Sequence, residues 1–198
     1  MLRTMNLMSV PVLLLGVAAC AGLLDSNQPA EKIYWLEPFI VQQASVADGA
    51  RSSITVSVGA APGLDTDRLL ILGPGSRLNH YAAARWPDHI PEVLESLLRT
   101  TLESTKQYSR VSAGTTSRGS DRELALEVRE LYTLANASES VRMVLSGYVS
   151  CPESEHAIAM QANVGINDNR LSEIVAAYQQ ALNEVSRQLV TQLSETAC

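Results

Sequence analysis

LSEIVAAYQQALNEVSRQLVTQL, residues 171–193, carries the clearest periodic pattern of this chain. Its apolar residues recur every three or four positions, as they do on one face of an α-helix. They are Leu171, Ile174, Val175, Tyr178, Leu182, Val185, Leu189 and Leu193. Asn169 is the candidate N-cap. Such a helix has to bury its apolar face against a second layer of structure, which the preceding sequence must supply.

A second amphipathic helix is predicted from Asp88 to about Thr105. Pro87 stands where the first turn of a helix tolerates proline. The apolar face consists of Ile90, Val93, Leu94, Leu97, Leu98 and Leu102. Two helices with one apolar face each indicate a sheet as the layer that they cover.

Strands are predicted wherever apolar and polar residues alternate or short apolar runs stop at turn residues. The segments are 33–36, 53–58, 69–72, 78–81, 124–128, 141–145 and 158–164. Residues 73–76, Gly-Pro-Gly-Ser, are a strong turn signal and predict a hairpin around them. Residues 135–139 connect a second hairpin. The sequence therefore predicts one α+β domain, in which a largely antiparallel sheet is packed by two amphipathic helices.

The first twenty residues have the organisation of an export signal. A weakly cationic start precedes an apolar run from Leu7 to Val17, which is shorter than the roughly 20 residues that span a bilayer. Small residues then precede Cys20, which predicts a bacterial lipoprotein box whose cysteine thiol becomes lipidated. We expect a signal peptide over 1–19, a lipidated flexible tether over 20–31 and a domain over 32–198. The alternative is a secreted protein with a chance cysteine at this position.

The two other cysteines, Cys151 and Cys198, fit an oxidising compartment. We predict that they form a disulfide, which would close a loop of about 48 residues and contribute roughly 4 kcal/mol on the chain-entropy model. The alternative is a buried free Cys151 and an unpaired C-terminus. The formal net charge is −6 and lysines and arginines form no cluster. This composition argues against a nucleic-acid partner.

Several segments, taken in order, resemble the ABC-type transport auxiliary lipoproteins, a family similar to the paraquat-inducible C protein. The first is Ile33-Tyr34-Trp35-Leu36 after the lipoprotein box, and the next is the run from Pro62 to Leu69. The others are Leu78-Asn79-His80-Tyr81, Arg85-Trp86-Pro87-Asp88 with its leucine-bearing helix, and the segment 174–182 of the last helix. The resemblance covers nearly the whole mature chain, and residues 107–165 carry the least of it.

The resemblance implies a non-catalytic adaptor without a cofactor. Members of this family accompany an ABC permease and ATPase and a mammalian-cell-entry (MCE) domain protein, which move lipids between the inner and outer membranes. The implied partner is the MCE protein, and the implied location is the periplasmic side of the outer membrane. Ala21 agrees with that location, because aspartate after the lipidated cysteine is the usual inner-membrane retention signal. A homo-oligomer is compatible with the sequence.

The residues themselves nominate no catalytic or metal site. His80, His89 and His156 lack carboxylate or cysteine neighbours at a familiar ligand spacing. Asp65 and Asp67 are read as turn or capping residues and not as an acid–base pair. A periplasmic hydrolase therefore has no residue to support it.

Three side chains are candidates for contact with a partner: Arg85, Trp86 and Trp35. Tryptophan and arginine are common at the centre of protein interfaces. A tryptophan at such a junction more often pins its loop onto the core, which is the favoured role for Trp86. Strand alternation predicts that one of Tyr34 and Trp35 points inward and the other outward. A different class of function, direct carriage of a lipid or other apolar ligand between sheet and helices, requires a sizeable apolar cavity.

Overall fold

The computed structural model describes residues 30–42, 52–114, 121–135, 139–196 and 198, and this part of the chain contains eight strands and two α-helices. The strands are β1 (Lys32–Ile33), β2 (Ser53–Ala60), β3 (Arg68–Gly73), β4 (Arg77–Arg85), β5 (Arg110–Ala113), β6 (Arg122–Leu134), β7 (Ser140–Ser150) and β8 (Glu155–Gly165). The helices are α1 (Ile90–Ser104) and α2 (Leu171–Glu195).

All eight strands form one mixed sheet, and β6 is its shared strand. On one side β6 pairs antiparallel with β7, which pairs antiparallel with the edge strand β8. On its other side the first half of β6 pairs parallel with β2, and its end pairs parallel with β3. β5 extends the sheet beyond β2, while β4 and β1 extend it beyond β3. The predicted α+β class is confirmed, with antiparallel pairing along the longest strands.

Both helices use the predicted apolar faces to cover the sheet. α1 packs against β2 and β5, and α2 packs against β7 and β8. On β8 the burial alternates residue by residue: Ile158, Met160 and Ala162 are buried, and the residues between them are exposed. Residues Glu31–Cys198 form one compact unit around this single core.

The two helix starts differ from the sequence prediction. α1 begins at Ile90, so Pro91, and not Pro87, occupies its first turn. The backbone N–H of Ile90 donates to the carbonyl oxygen of Thr66 at 3.1 Å. The loop before β3 thereby satisfies a helix N–H that no side chain caps. The N-cap of α2 is Arg170 and not Asn169, and its side chain makes no capping bond.

The predicted strands are present, with two differences. The segment 33–36 contributes only its first residue to β1, and the chain continues past it outside the sheet. β5 was not predicted, because its four residues contain only two apolar positions, Val111 and Ala113, too few to establish a period. The Gly-Pro-Gly-Ser hairpin is confirmed: β3 and β4 pair antiparallel around a short 3₁₀ turn in which Gly75 has a φ of 72°.

β6 and β7 approach each other too closely at one point for any side chain. A Cβ atom on Gly147 would lie 1.9 Å from the carbonyl oxygen of Ala125. Real Cβ atoms do not come so near to a backbone oxygen, and backbone cannot move aside as a flexible side chain can. Glycine is therefore required at position 147 for these two strands to pair.

The edge of β8 is covered by two glutamine side chains of α2. The amide of Gln192 accepts from the N–H of Ala159 and donates to its C=O, at 3.3 and 2.8 Å. Gln188 makes the same pair of bonds with Gln161, at 3.0 and 2.9 Å. Each glutamine thus takes the place of a residue on a neighbouring strand, and backbone groups that an edge strand leaves free are occupied.

Candidate functional site

The chain after β1 crosses the two helices as an extended N-terminal segment, residues 34–42. The backbone N–H of Tyr34 donates to the carbonyl oxygen of Arg85 on β4 at 2.9 Å. Further along, Gln179 of α2 holds both backbone groups of Glu37: its side chain accepts from the N–H at 2.7 Å and donates to the C=O at 2.9 Å. The backbone is therefore hydrogen bonded on both sides of Trp35 and Leu36.

The second half of the segment is held in two further places. The guanidinium of Arg187 on α2 lies over the ring of Phe39, with 5.5 Å from its central carbon to the ring centroid. The backbone N–H of Val41 donates to the side-chain oxygen of Ser104, the last residue of α1, at 3.0 Å. These contacts join both helices to the beginning of the domain.

Trp35 lies between the two polar fastenings and points outward, with 70% of its surface exposed. Tyr34 next to it is partly buried and packs on the core. The expected division between one inward and one outward aromatic residue is therefore observed. Trp35 forms the wall of an open groove of about 360 Å³ along α1, which we name the Trp35 groove. Its lining residues are Trp35, Leu36, Pro87, Asp88, Glu92, Val93, Ser96 and Leu97.

The Trp35 groove has an apolar floor and an acidic rim. Leu36, Val93 and Leu97 are buried and form the floor. Asp88 and Glu92 are exposed at the rim, and no lysine or arginine is among the lining residues. The groove can therefore accept an apolar side chain and attract a positive charge beside it.

Arg85, a predicted partner contact, belongs to a network of four charged side chains. Its guanidinium lies 3.4 Å from Glu31 and 3.4 Å from Asp67. Arg68 contacts the same two carboxylates. The hydrogen bond and the charge of Glu31 raise the pKa of Arg68 above its ordinary value. Since 36% of the Arg85 side chain is exposed and its charge is already balanced, it is less available to a partner than the sequence suggests.

Trp86, the second predicted contact, is only 1% exposed and belongs to the core. Its ring meets Tyr178 of α2 edge to face, with 5.2 Å between the ring centroids. Burial raises the pKa of Tyr178 well above its usual range. The Tyr178 hydroxyl donates to the carbonyl oxygen of Leu70 at 3.1 Å. The pinning role is therefore the one the structure supports for Trp86, and a partner cannot reach its ring.

The histidines do not converge on a common point. His89 binds Asp65 through its Nδ1 atom at 2.7 Å, and this hydrogen bond raises the pKa of His89. His156 contacts Ser154, and His80 is exposed on β4. Within the described residues, no group of three histidine, cysteine, aspartate or glutamate side chains is arranged to hold a metal ion.

Cys151 and Cys198 are joined by a disulfide, with their Cα atoms 5.5 Å apart. The bond links the end of β7 to the residues that follow α2. Cys20, the predicted lipidation site, lies outside the described residues, as do the predicted signal peptide and most of the tether. Among the helices of the described residues, none has the length and apolar character needed to cross a bilayer.

Sequence reasoning missed Gln179 and the α1 side of the groove. Gln179 stands on the polar face of a helix, where a glutamine normally needs no partner. Its bonds to Glu37 join positions 142 residues apart, and no local pattern encodes them. Glu92 and Ser96 were missed for the same reason, because they line a groove with Trp35 only in the folded chain.

Comparison with known proteins finds one matching family model and several solved structures of similar fold. The family model of the ABC-type transport auxiliary lipoprotein component matches residues 34–190. A crystal structure of a Xanthomonas campestris protein, assigned to the family DUF330, is similar with a TM-score of 0.70 at 19% identity, covering 83% of this chain and 100% of that one. A Chlamydia trachomatis hypothetical protein follows with 0.52 at 11% identity, covering 75% and 99%. These two likenesses establish the fold alone. No curated protein matches.

Proposed function

Since this chain belongs to the family of ABC-type transport auxiliary lipoprotein components, we propose that it is the lipid-anchored adaptor of an MCE-type lipid transport system. In this proposal Cys20 carries the lipid and holds the domain on the periplasmic side of the outer membrane. The domain binds an MCE-domain protein and, through it, an ABC permease and ATPase. It performs no chemical step of its own and needs no cofactor.

The observation that carries the proposal is the outward position of Trp35. Trp35 has 70% of its surface exposed beside an apolar groove, and tryptophan is enriched among the residues that dominate binding at protein interfaces. Trp35 is also held in place, because Tyr34 and Glu37 on either side of it are hydrogen bonded to β4 and α2. A fixed, exposed tryptophan beside an apolar groove is the kind of surface by which an adaptor contacts its partner.

The two aspartates that an acid–base enzyme would need, Asp65 and Asp67, are each paired with a neighbouring basic side chain. Asp65 binds His89 at the start of α1, and Asp67 balances two arginines. These pairs connect the loop before β3 to its neighbours. Their arrangement supports a binding role more readily than an acid–base one.

The adaptor is favoured over a carrier by the packing between α2 and the sheet. The side chains that α2 buries in the core include Tyr178, Leu182, Val185 and Leu189. A lipid bound between these layers would have to displace them. We therefore assign the apolar groove on the surface, and not the core, to recognition.

The proposal is tested by purifying the full-length chain from its own membranes in mild detergent after chemical crosslinking. We expect an MCE-domain protein and ABC transporter subunits to be recovered with it in constant ratio. Recovery of the chain without any transporter subunit, but with bound lipid at one molecule per chain, would replace the adaptor with the carrier.

The anchor is tested separately with Cys20→Ser. We expect fatty-acid label in the wild-type chain and none in the variant, which should leave the membrane fraction or accumulate as uncleaved precursor. Ala21→Ser is the matched control, because it introduces the same residue one position further on, leaves Cys20 in place and should retain the label. A Cys20→Ser chain that is labelled and membrane-bound like wild type would refute the lipid anchor.

A further inference from the structure

We propose that the Trp35 groove binds a segment of a partner protein in which an apolar side chain is flanked by lysine or arginine. This inference rests on the adaptor function proposed above and specifies the chemistry of the bound segment. The occupant is a protein segment and not a membrane surface or a free small molecule.

The shape of the groove suits side chains that arrive from a larger molecule. Its volume of about 360 Å³ is near the lower end of the roughly 300–1,000 Å³ of small-molecule pockets. It is open along its length, with α1 on one side and Trp35 on the other. A segment that lies across this opening can insert one apolar residue between Trp35 and Val93 and keep its backbone outside.

The charge of the rim selects what stands beside that apolar residue. Asp88 and Glu92 are both exposed, and among the residues that the structure describes neither forms a salt bridge with a lysine or arginine. The charge of Glu92 also acts on His89, which is paired with Asp65. Two carboxylates repel acidic peptides and anionic lipid headgroups, and they attract lysine and arginine. The face of Trp35 adds a second attraction for a cation. Charge complementarity therefore favours a basic protein segment over an anionic membrane.

Binding at this groove requires little reordering of the chain. Hydrogen bonds fasten the backbone at Tyr34 and at Glu37, and Leu36 between them is buried. The Trp35 side chain is thus presented from a fixed backbone. Binding therefore does not have to order a flexible loop, which would lower the affinity. Interface hot spots are typically well ordered in this way.

The experiment uses the full-length chain in cells, with the photoreactive residue p-benzoylphenylalanine placed at Ser96 on the groove rim. After irradiation the crosslinked peptides are identified by mass spectrometry. We expect the adducts to fall on one short stretch of a transporter subunit that contains an apolar residue flanked by lysine or arginine. The same photoreactive residue at Tyr148, an exposed aromatic position on β7, serves as the control and should not reach that stretch.

Two variants, each with a matched control, measure how much Trp35 and Glu92 contribute to binding of the segment. Trp35→Ser should reduce the crosslink yield at position 96 by at least tenfold, and Tyr148→Ser should leave it within twofold. Glu92→Lys should reduce it about fivefold, whereas Glu103→Lys, at an exposed site of α1 outside the groove, should not. Once the partner stretch is known, exchanging its basic residue for glutamate should restore the yield with Glu92→Lys.

The outcomes separate this inference from the proposed function. If transporter subunits are recovered with the chain but position 96 crosslinks elsewhere, the groove inference is wrong and the adaptor stands. Adducts with phospholipid alone, or with a stretch that lacks basic residues, also overturn it. If no transporter subunit is recovered with the wild-type chain, the adaptor function itself fails.

Discussion

The two tryptophans of the chain occupy opposite environments although both lie beside the start of α1. Trp86 is 1% exposed and meets Tyr178 in the core, whereas Trp35 is 70% exposed and borders a groove. The backbone N–H of Trp86 donates to the carbonyl oxygen of Asp67 at 2.7 Å, and Tyr178 of α2 contacts its ring. Trp35 is positioned by the backbone hydrogen bonds of Tyr34 and Glu37 on either side of it. The comparison separates a residue that stabilises the fold from one that the fold displays.

The largest difference between these regions should appear on truncation of each tryptophan. Trp86→Ala removes a fully buried ring and leaves a cavity, so we expect the free energy of unfolding to fall by about 3–5 kcal/mol. Trp35→Ala, the matched control, should change it by no more than about 0.5 kcal/mol. Denaturant unfolding of both variants measures this. Equal losses would mean that the two rings do not differ as described.

The next effect concerns the far end of the helix on which Trp86 packs. Cys151→Ser opens the loop closed by the disulfide, and we expect the domain to lose about 4 kcal/mol on the chain-entropy model. Reduction should lower the melting temperature of the wild type and leave the variant unchanged. Full reaction of native, unreduced protein with a maleimide would show that the thiols are free and contradict the prediction.

A smaller effect tests how the glutamines of α2 hold the edge strand β8. Gln188→Ala and Gln192→Ala each remove a pair of hydrogen bonds to β8, and we expect about 1 kcal/mol per variant because water can replace part of the bonding. Amide hydrogen exchange at Gln161 and Ala159 should accelerate in the corresponding variant. Gln180→Ala, at an exposed position of the same helix, is the control and should alter neither amide.

The smallest effect is the pH dependence at the start of α1. Asp65 raises the pKa of His89, so the folded state binds the proton more tightly than the unfolded state. The stabilising contribution is complete below the ordinary histidine pKa of about 6.5 and is lost as the pH rises through the folded value. NMR titration should place the His89 midpoint above the ordinary value, and Asp65→Asn should lower it. An unchanged midpoint in that variant would exclude Asp65 as the cause.

The helices and strands with a periodic pattern were predictable, because the residues that each element buries recur at a regular spacing in its own sequence. The stripe of α2 and the alternation of β6, β7 and β8 each follow from neighbours on one element. β5 was not predictable, since it is held in the sheet by parallel pairing with β2 and its two apolar residues, Val111 and Ala113, are too few to show a period. The start of α1 was misplaced because Pro91, and not Pro87, lies in its first turn, and the Ile90 N–H is bound by the carbonyl oxygen of Thr66, which no local pattern indicates.

The candidate site was predictable only in part, for the same reason. Strand alternation predicted that one of Tyr34 and Trp35 points outward, but not which of the two, and both residues lie beyond the end of β1. The burial of Trp86 depends on Tyr178, more than ninety positions away, and the two readings of this residue stayed open until the fold was known. Arg85 was expected at a surface, but Glu31 and Asp67 engage it from two other parts of the chain.

The glutamine cover of β8 has a consequence for crowding. A domain anchored as proposed diffuses in a plane, where copies of one chain collide repeatedly and in similar orientations. An uncovered strand edge would then act as a template that joins neighbours into ribbons. Gln188 and Gln192 occupy the middle of that edge from within the same molecule. The glutamines of α2 thereby leave fewer free backbone groups at β8 through which neighbouring copies could pair.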